Sequence, residues 1–325
     1  MKTLLACLAL GTALVVSVLP ARAEQPNLVN RNSISKEHAD PEGTGLVQIA
    51  STSVLAPLQV VWNRDGTGLY IVSVNAVSLF DLRMDELQQL TPTVEGEFVL
   101  AVSPKGVLAI LKDYEAVVLR NAHTGHQSIL GTTVRVNSAA FSPDGRRLVL
   151  VEENGSVLRI WDVDSANLIT EFRSPSLTEG AYSVSFSPSG ESLFWFSPSG
   201  GHTVDLDSRD VGPFVSFTDS VNDLEMCAGN RLIVATADEM LSVWDTAAAL
   251  LLVSESPWQA LSLSCSTDGK AALVTTETHV QVMEASSLRV QLRLPREAVD
   301  ASYSPVGDAL AVVETQGDIT IWRPG

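Results

Sequence analysis

Cysteine is scarce in this chain, at 3 in 325 residues, and basic residues are outnumbered, with 21 Lys and Arg against 38 Asp and Glu. So few cysteines exclude a scaffold stapled by disulfides, because such scaffolds are short chains crowded with cysteine. The formal charge of −17 at pH 7 excludes unassisted binding to nucleic acid or to an anionic bilayer, since both need Lys and Arg to neutralise phosphate. Basic or cationic partners suit such a surface. Missing as well are helical periodicity, a nucleophile elbow, a zinc-protease helix and a phosphate-cradling glycine loop. What the chain does have is apolar substance: 45% hydrophobic residues are enough for a large core.

A long apolar run stands at the start. "MKTLLACLALGTALVVSVLPARA" places Lys2 before the run Leu4 to Leu19, then Pro20 and the small-residue pattern Ala21-Arg22-Ala23. Residues 1–23 therefore read as a secretory signal, which implies a periplasmic or secreted protein with no membrane insertion after cleavage. An uncleaved anchor is the alternative, but the run has no positive stop-transfer flank. Residues 24–44, polar with Pro and Gly, read as a flexible leader, and residues 45–325 as the folded domain. The mature chain keeps Cys227 and Cys265. A bridge between them is open to an oxidising compartment, yet Cys265 occupies an apolar position where a buried free thiol packs well, and the free thiol is the expectation.

The chain repeats itself. "AAFSPDGRRLVLVEENGSVLRIWD", Ala139 to Asp162, contains Gly145, whose counterparts are Gly66, Gly106, Gly190, Gly229, Gly269 and Gly307. Several carry the same lead-in: "NRDG", "SPKG", "SPSG", "STDG", "SPVG". Trp161 recurs as Phe80, Arg120, Val204, Trp244, Met283 and Trp322, at a spacing of about 40 residues that signals a repeat architecture. Between the marks lie short runs of branched aliphatics such as "LVLV" and "VLRIW", separated by turn residues, which is the pattern of strands joined by tight turns. A polar turn such as "DVDSAN" and a fourth strand complete each copy. In the fourth copy "LFWF", Leu193 to Phe196, is expected to send alternate side chains to the neighbours on either side.

Seven such copies, with "SPDG" opening and "IWD" closing, resemble the WD-repeat β-propeller family over nearly all of the mature chain. The resemblance implies an all-β, seven-bladed propeller of four-stranded antiparallel sheets. The last copy stops at "DITIWRPG", after its third strand, so "LVQIAS", Leu46 to Ser51, is expected to supply its outer strand and close the ring. The family's usual Gly-His pair is absent, and only Trp161, Trp244 and Trp322 keep the Trp of its buried hydrogen-bond network. Apolar packing between blades is expected to carry the fold.

Charge sorts by turn type. The turns between second and third strands hold Asp113, Glu115, Glu152, Glu153, Asp238, Glu239, Glu277 and Glu314. The links between copies hold Glu95, Glu97, Glu179, Asp219, Glu255, Glu297 and Asp300. In a propeller these two groups share one face, and the opposite face receives Arg64, Lys105, Arg146, Arg147, Arg209, Arg231, Lys270 and Arg289. Polar turns in an acidic protein are the plain explanation. The sharper one is a face that attracts a basic protein segment, with Tyr114 and Trp258 as aromatic anchors.

The candidate partner-binding residues are thus Asp113, Tyr114, Glu152, Glu153, Asp238, Glu239, Trp258 and Glu277. His123 and His126 in "NAHTGH" could suit a metal by spacing, but no carboxylate or Cys nearby completes a set; no metal, cofactor or catalytic residue is assigned. The reading is a monomeric, exported protein-binding or scaffold module. Its alternatives are a propeller enzyme or cofactor-binding protein using the central channel, and a propeller that supports assembly of an envelope complex.

Overall fold

The seven glycines that mark the repeat all have φ between +67° and +75°. A side chain with a Cβ is disfavoured there, which is why the turn keeps glycine while the residues around it drift. The serine of "SPDG" closes the same turn. Ser142 Oγ accepts from Arg147 N at 2.9 Å, and Ser187, Ser266 and Ser304 accept in the same way from Ser192, Ala271 and Ala309 at 3.1, 3.0 and 3.3 Å. In the first copy the amide of Asn63 replaces the hydroxyl, with its Oδ1 accepting from Gly68 N at 3.0 Å.

The computed structural model describes residues 45–113, 115–131, 136–152, 155–173 and 183–324. The expected signal and leader fall outside the described residues. The described residues form 28 strands in seven sheets of four, each antiparallel and sequential, with one exception. In the seventh sheet the outer place is taken by Leu46–Ser53, which pairs antiparallel with Asp318–Pro324, Leu46 opposite Pro324 and Ser53 opposite Asp318. The first described strand and the last therefore lie side by side, and the ring is closed as expected.

Each sheet is a blade. The inner strands, lining the axis, are Pro57–Trp62, Glu97–Val102, Val136–Phe141, Ser183–Phe186, Val221–Cys227, Ser262–Cys265 and Ala298–Tyr303 for blades one to seven. Seven apolar clusters fill the spaces between neighbouring blades. Strand alternation explains how one blade serves two of them. Leu148 and Leu150 pack toward blade two, while Val149 and Val151 pack toward blade four. "LFWF" behaves as expected: Leu193 and Trp195 face blade three, Phe194 and Phe196 face blade five.

Packing is supplemented by polar fastenings. Trp322 Nε1 donates to Thr320 Oγ1 at 2.9 Å, and that hydroxyl donates to Glu314 Oε1 at 3.3 Å; Trp244 Nε1 donates to Ser242 Oγ at 3.0 Å. These are shortened forms of the Trp-centred network that the resemblance implies. Blade two has Arg120 in the Trp position, and its guanidinium holds Glu97 with contacts of 2.8 and 2.5 Å.

One expectation is corrected. Cys227 and Cys265 are joined as a disulfide, with Cα atoms 5.6 Å apart. They terminate the inner strands of adjacent blades, so a separation of one repeat in sequence becomes contact in space. The bridge lies at the hairpin face, the face of the glycine-marked turns. Blades five and six also approach closely there, since a Cβ on Gly269 would collide with Ala228.

Candidate functional site

Blades five and six enclose a cleft at their opposite ends, on the linker face formed by the second-to-third-strand turns and the blade links. It has a volume of about 340 Å³ and is lined by Glu239, Pro257, Trp258, Gln259, Thr276, Glu277, Thr278, His279, Gln281 and Arg293. Three segments build it. The turn after Arg231–Thr236 is pinned by Asp238, whose Oδ1 accepts from Thr236 Oγ1 at 2.5 Å and from Met240 N at 3.4 Å, which lets Glu239 adopt φ +64° at the tip. The following link folds back on that tip: Trp258 N donates to Glu239 O at 2.7 Å, and Gln259 Nε2 donates to Glu239 Oε1 at 2.8 Å. The far wall is the blade-six turn, where Thr276 N donates to His279 O at 2.8 Å and His279 N to Thr276 Oγ1 at 3.2 Å. Trp258 is partly buried and packs against the cluster between the two blades, so its ring is a fixed wall.

Four of the sequence-derived candidates therefore converge: Glu239, Trp258 and Glu277 line the cleft, and Asp238 shapes its rim. Asp113 is exposed on blade two, away from them. Tyr114, Glu153 and Glu179 lie outside the described residues. Glu152 is a correction: it is fully buried and ion-paired with Arg159, which also holds Glu171 at 3.3 Å, so it presents nothing to a partner. The strand that ends in Glu152 continues one residue farther than a turn reading assumes. Glu97 and Glu314 are likewise neutralised, by Arg120 and by Arg296 at 3.7 Å. Asp300 belongs to the inner strand of blade seven rather than to a link.

The inner strands carry polar groups that turn type alone does not reveal. Ser138 and Ser183 hydroxyls meet at 3.0 Å between blades three and four. Ser185 Oγ donates to Glu225 Oε2 at 3.3 Å between four and five, and Leu263 N donates to Asp223 Oδ2 at 2.6 Å between five and six. Ser262 Oγ donates to Asp300 Oδ1 at 2.5 Å between six and seven, and Trp62 Nε1 to the Ser302 carbonyl at 3.4 Å between seven and one. These contacts form a partial girdle around the axis, from blade three round to blade one. Burial pushes Glu225 up to about 8, with the charge of Asp300 adding to the effect and the Ser185 hydrogen bond opposing it. Burial also raises Asp300, against the hydrogen bond from Ser262. Acids inside an otherwise apolar strand, as in "VNDLEMC", were the signal for this girdle.

Among the described residues no group of three or more His, Cys, Asp and Glu could hold a metal ion. His123 meets Tyr70 instead, Nε2 lying 2.8 Å from the phenol oxygen.

No family model matches the chain. An uncharacterized WD repeat-containing protein of Synechocystis sp. is 34% identical over 110 residues, which is 32% of this chain. The match spans 31% of that relative's length. Seven four-stranded blades and a seam closed by the first described strand make the chain a seven-bladed β-propeller, with Trp-Asp ends on two third strands and a similarity to that WD repeat-containing protein over about a third of its length.

Proposed function

We propose that this propeller is an exported protein-interaction module that engages a partner with a basic segment through its linker face. The observation that carries the reading is the convergence of Glu239, Trp258 and Glu277 on one cleft, where neither carboxylate has an ion-pair partner among the described residues. Charge left uncompensated on a rigid rim attracts and orients an oppositely charged surface. The Cys227–Cys265 bridge supports the exported half of the reading, because structural disulfides persist in oxidising compartments.

A channel enzyme would instead need polar groups that converge on a pocket and stay available to a substrate. The channel carboxylates are engaged in fastening blades, Asp300 by Ser262, Glu225 by Ser185 and Asp223 by main-chain N–H groups. That favours the binding module.

Replacing Asp238, Glu239 and Glu277 together by Ser should weaken capture of the native partner in a low-salt pull-down. Stability should fall by about 1 kcal/mol, because Asp238 also ties its own turn through Thr236 and Met240. Capture at undiminished strength would show that the linker face is not the docking surface.

A further inference from the structure

The cleft holds a pattern of donors and acceptors more specific than negative charge. Glu239 uses Oε1 to accept from Gln259 and leaves Oε2 open, while Glu277 is exposed and unpaired among the described residues. The cleft's own cation does not neutralise them: Arg293 Nη2 donates to Gln281 Oε1 at 3.3 Å. That bond also fixes which end of the Gln281 amide is which, so Nε2 is the end left over. Gln281 is only 4% exposed and lines the cleft, and its Nε2 has no hydrogen-bond partner among the described residues. That N–H is not sealed from solvent, and an occupant of the cleft that carried an acceptor would meet a donor with no protein partner among the described residues.

We infer that the cleft between blades five and six receives one arginine or lysine side chain of a partner protein together with a main-chain carbonyl next to it. This deepens the interaction reading and rests on it. The cation lies between Glu239 and Glu277 against the ring of Trp258, where charge-assisted hydrogen bonds and attraction to the aromatic face act together. The carbonyl accepts from Gln281 Nε2. A volume of about 340 Å³ is at the small end of ligand sites, roughly 300–1,000 Å³, which suits one residue and its adjoining main chain. A metal ion would leave the Gln281 donor unsatisfied, and an anion would face two carboxylates.

The test uses the mature chain and a labelled, end-capped hexa-arginine peptide, read by fluorescence anisotropy at low and at physiological salt. Glu239→Gln with Glu277→Gln should weaken binding about tenfold, since two charge-assisted contacts are lost while the shape is kept. Glu95→Gln with Glu297→Gln makes the same charge change in other links of the same face, and should weaken binding about twofold or less because it acts only through the screened field. Equal losses in both pairs would overturn the cleft and leave the linker face standing as a diffuse attractor. No loss in either pair would overturn both. Trp258→Leu disturbs packing between the blades, so the Glu→Gln pairs decide the matter, and their far-ultraviolet circular dichroism should match the parent.

Discussion

Acids of the hairpin-face turns and acids around the cleft are handled differently. On the hairpin face Asp81 lies 3.2 Å from Arg83, Asp268 3.2 Å from Lys270, Asp308 3.0 Å from Arg323, and Asp144 and Glu284 each have an arginine at 3.8 Å. On the linker face Asp238, Glu239 and Glu277 have no such neighbour among the described residues. The difference follows from which residue stands two positions on, since Asp238 accepts from Met240 N in the same way and finds no base there. Hairpin-face acids accept main-chain N–H groups of their own turns, as Asp268 does from Lys270 and Asp144 from Arg146, and the base two residues on comes into range. These contacts hold Asp268 down at about 2, the Ser266 hydroxyl contributing most. Acids there are part of the fold's punctuation, as Asp238 is in its own turn, whereas Glu239 and Glu277 line the cleft with no ion-pair partner among the described residues.

Blades five and six put both conditions in one place, pinned at the hairpin end and open at the linker end. Removing the pin should have the largest effect. Cys227→Ser with Cys265→Ser opens a loop whose ends are 38 residues apart, and chain entropy sets an upper estimate of about 4 kcal/mol for the stability lost. Urea unfolding under native and reducing conditions measures it. Hexa-arginine affinity of the still-folded variant should fall much less, because the cleft lies at the other end of the blades. A parallel collapse of binding and stability would erase the distinction between the two ends.

Titration supplies the next, smaller contrast. Glu225 is raised by burial to about 8 from an ordinary value of 4.5, so the native state binds its proton more tightly than the unfolded chain does. Its contribution is fully present below pH 4.5 and is lost as pH rises through about 8. Asp268 has the opposite sign: its stabilisation is present above 3.8 and lost as pH falls through about 2. Thermal unfolding should therefore show a decline toward pH 9 that Glu225→Gln flattens, with little difference between the proteins near pH 5. A decline of equal slope in both proteins would show that Glu225 does not govern it.

The sequence made the architecture legible because one device is written seven times. Glycine at a left-handed turn, a serine or asparagine that closes it, and two aliphatic runs after it recur at a steady interval, so drift in one copy is outvoted by the others. Gly229 survives as a mark in "CAGN" although the serine is gone. The closing strand was legible because a ring cannot tolerate a missing outer strand. The site was only half legible. Glu239 and Glu277 could be placed on one face by turn type, but which turns meet across a blade boundary depends on how links such as Ser256–Leu261 fold back, and that is a tertiary property. Glu152 looked like a turn residue until Arg159, its neighbour in the paired strand, drew it inside. Gln281 and Arg293 gave no sequence signal, since an amide and a base in adjacent strands look like ordinary surface alternation. The disulfide was obscured because its two cysteines sit at offset positions of successive copies, Cys265 matching Met226 in register and Cys227 standing one residue farther on, and at different distances from the marking glycines, Gly229 and Gly269.

The claim at the centre is that the linker face at blades five and six is where this propeller takes hold of another protein. Hydrogen-exchange mass spectrometry with and without hexa-arginine tests it without any substitution. New protection is expected in Asp238–Met240, Trp258–Gln259 and Thr276–Gln281, with the turns around Asp144 and Asp268 unaffected. Protection confined to those hairpin-face turns, or to the inner strands around Glu225 and Asp300, would refute it.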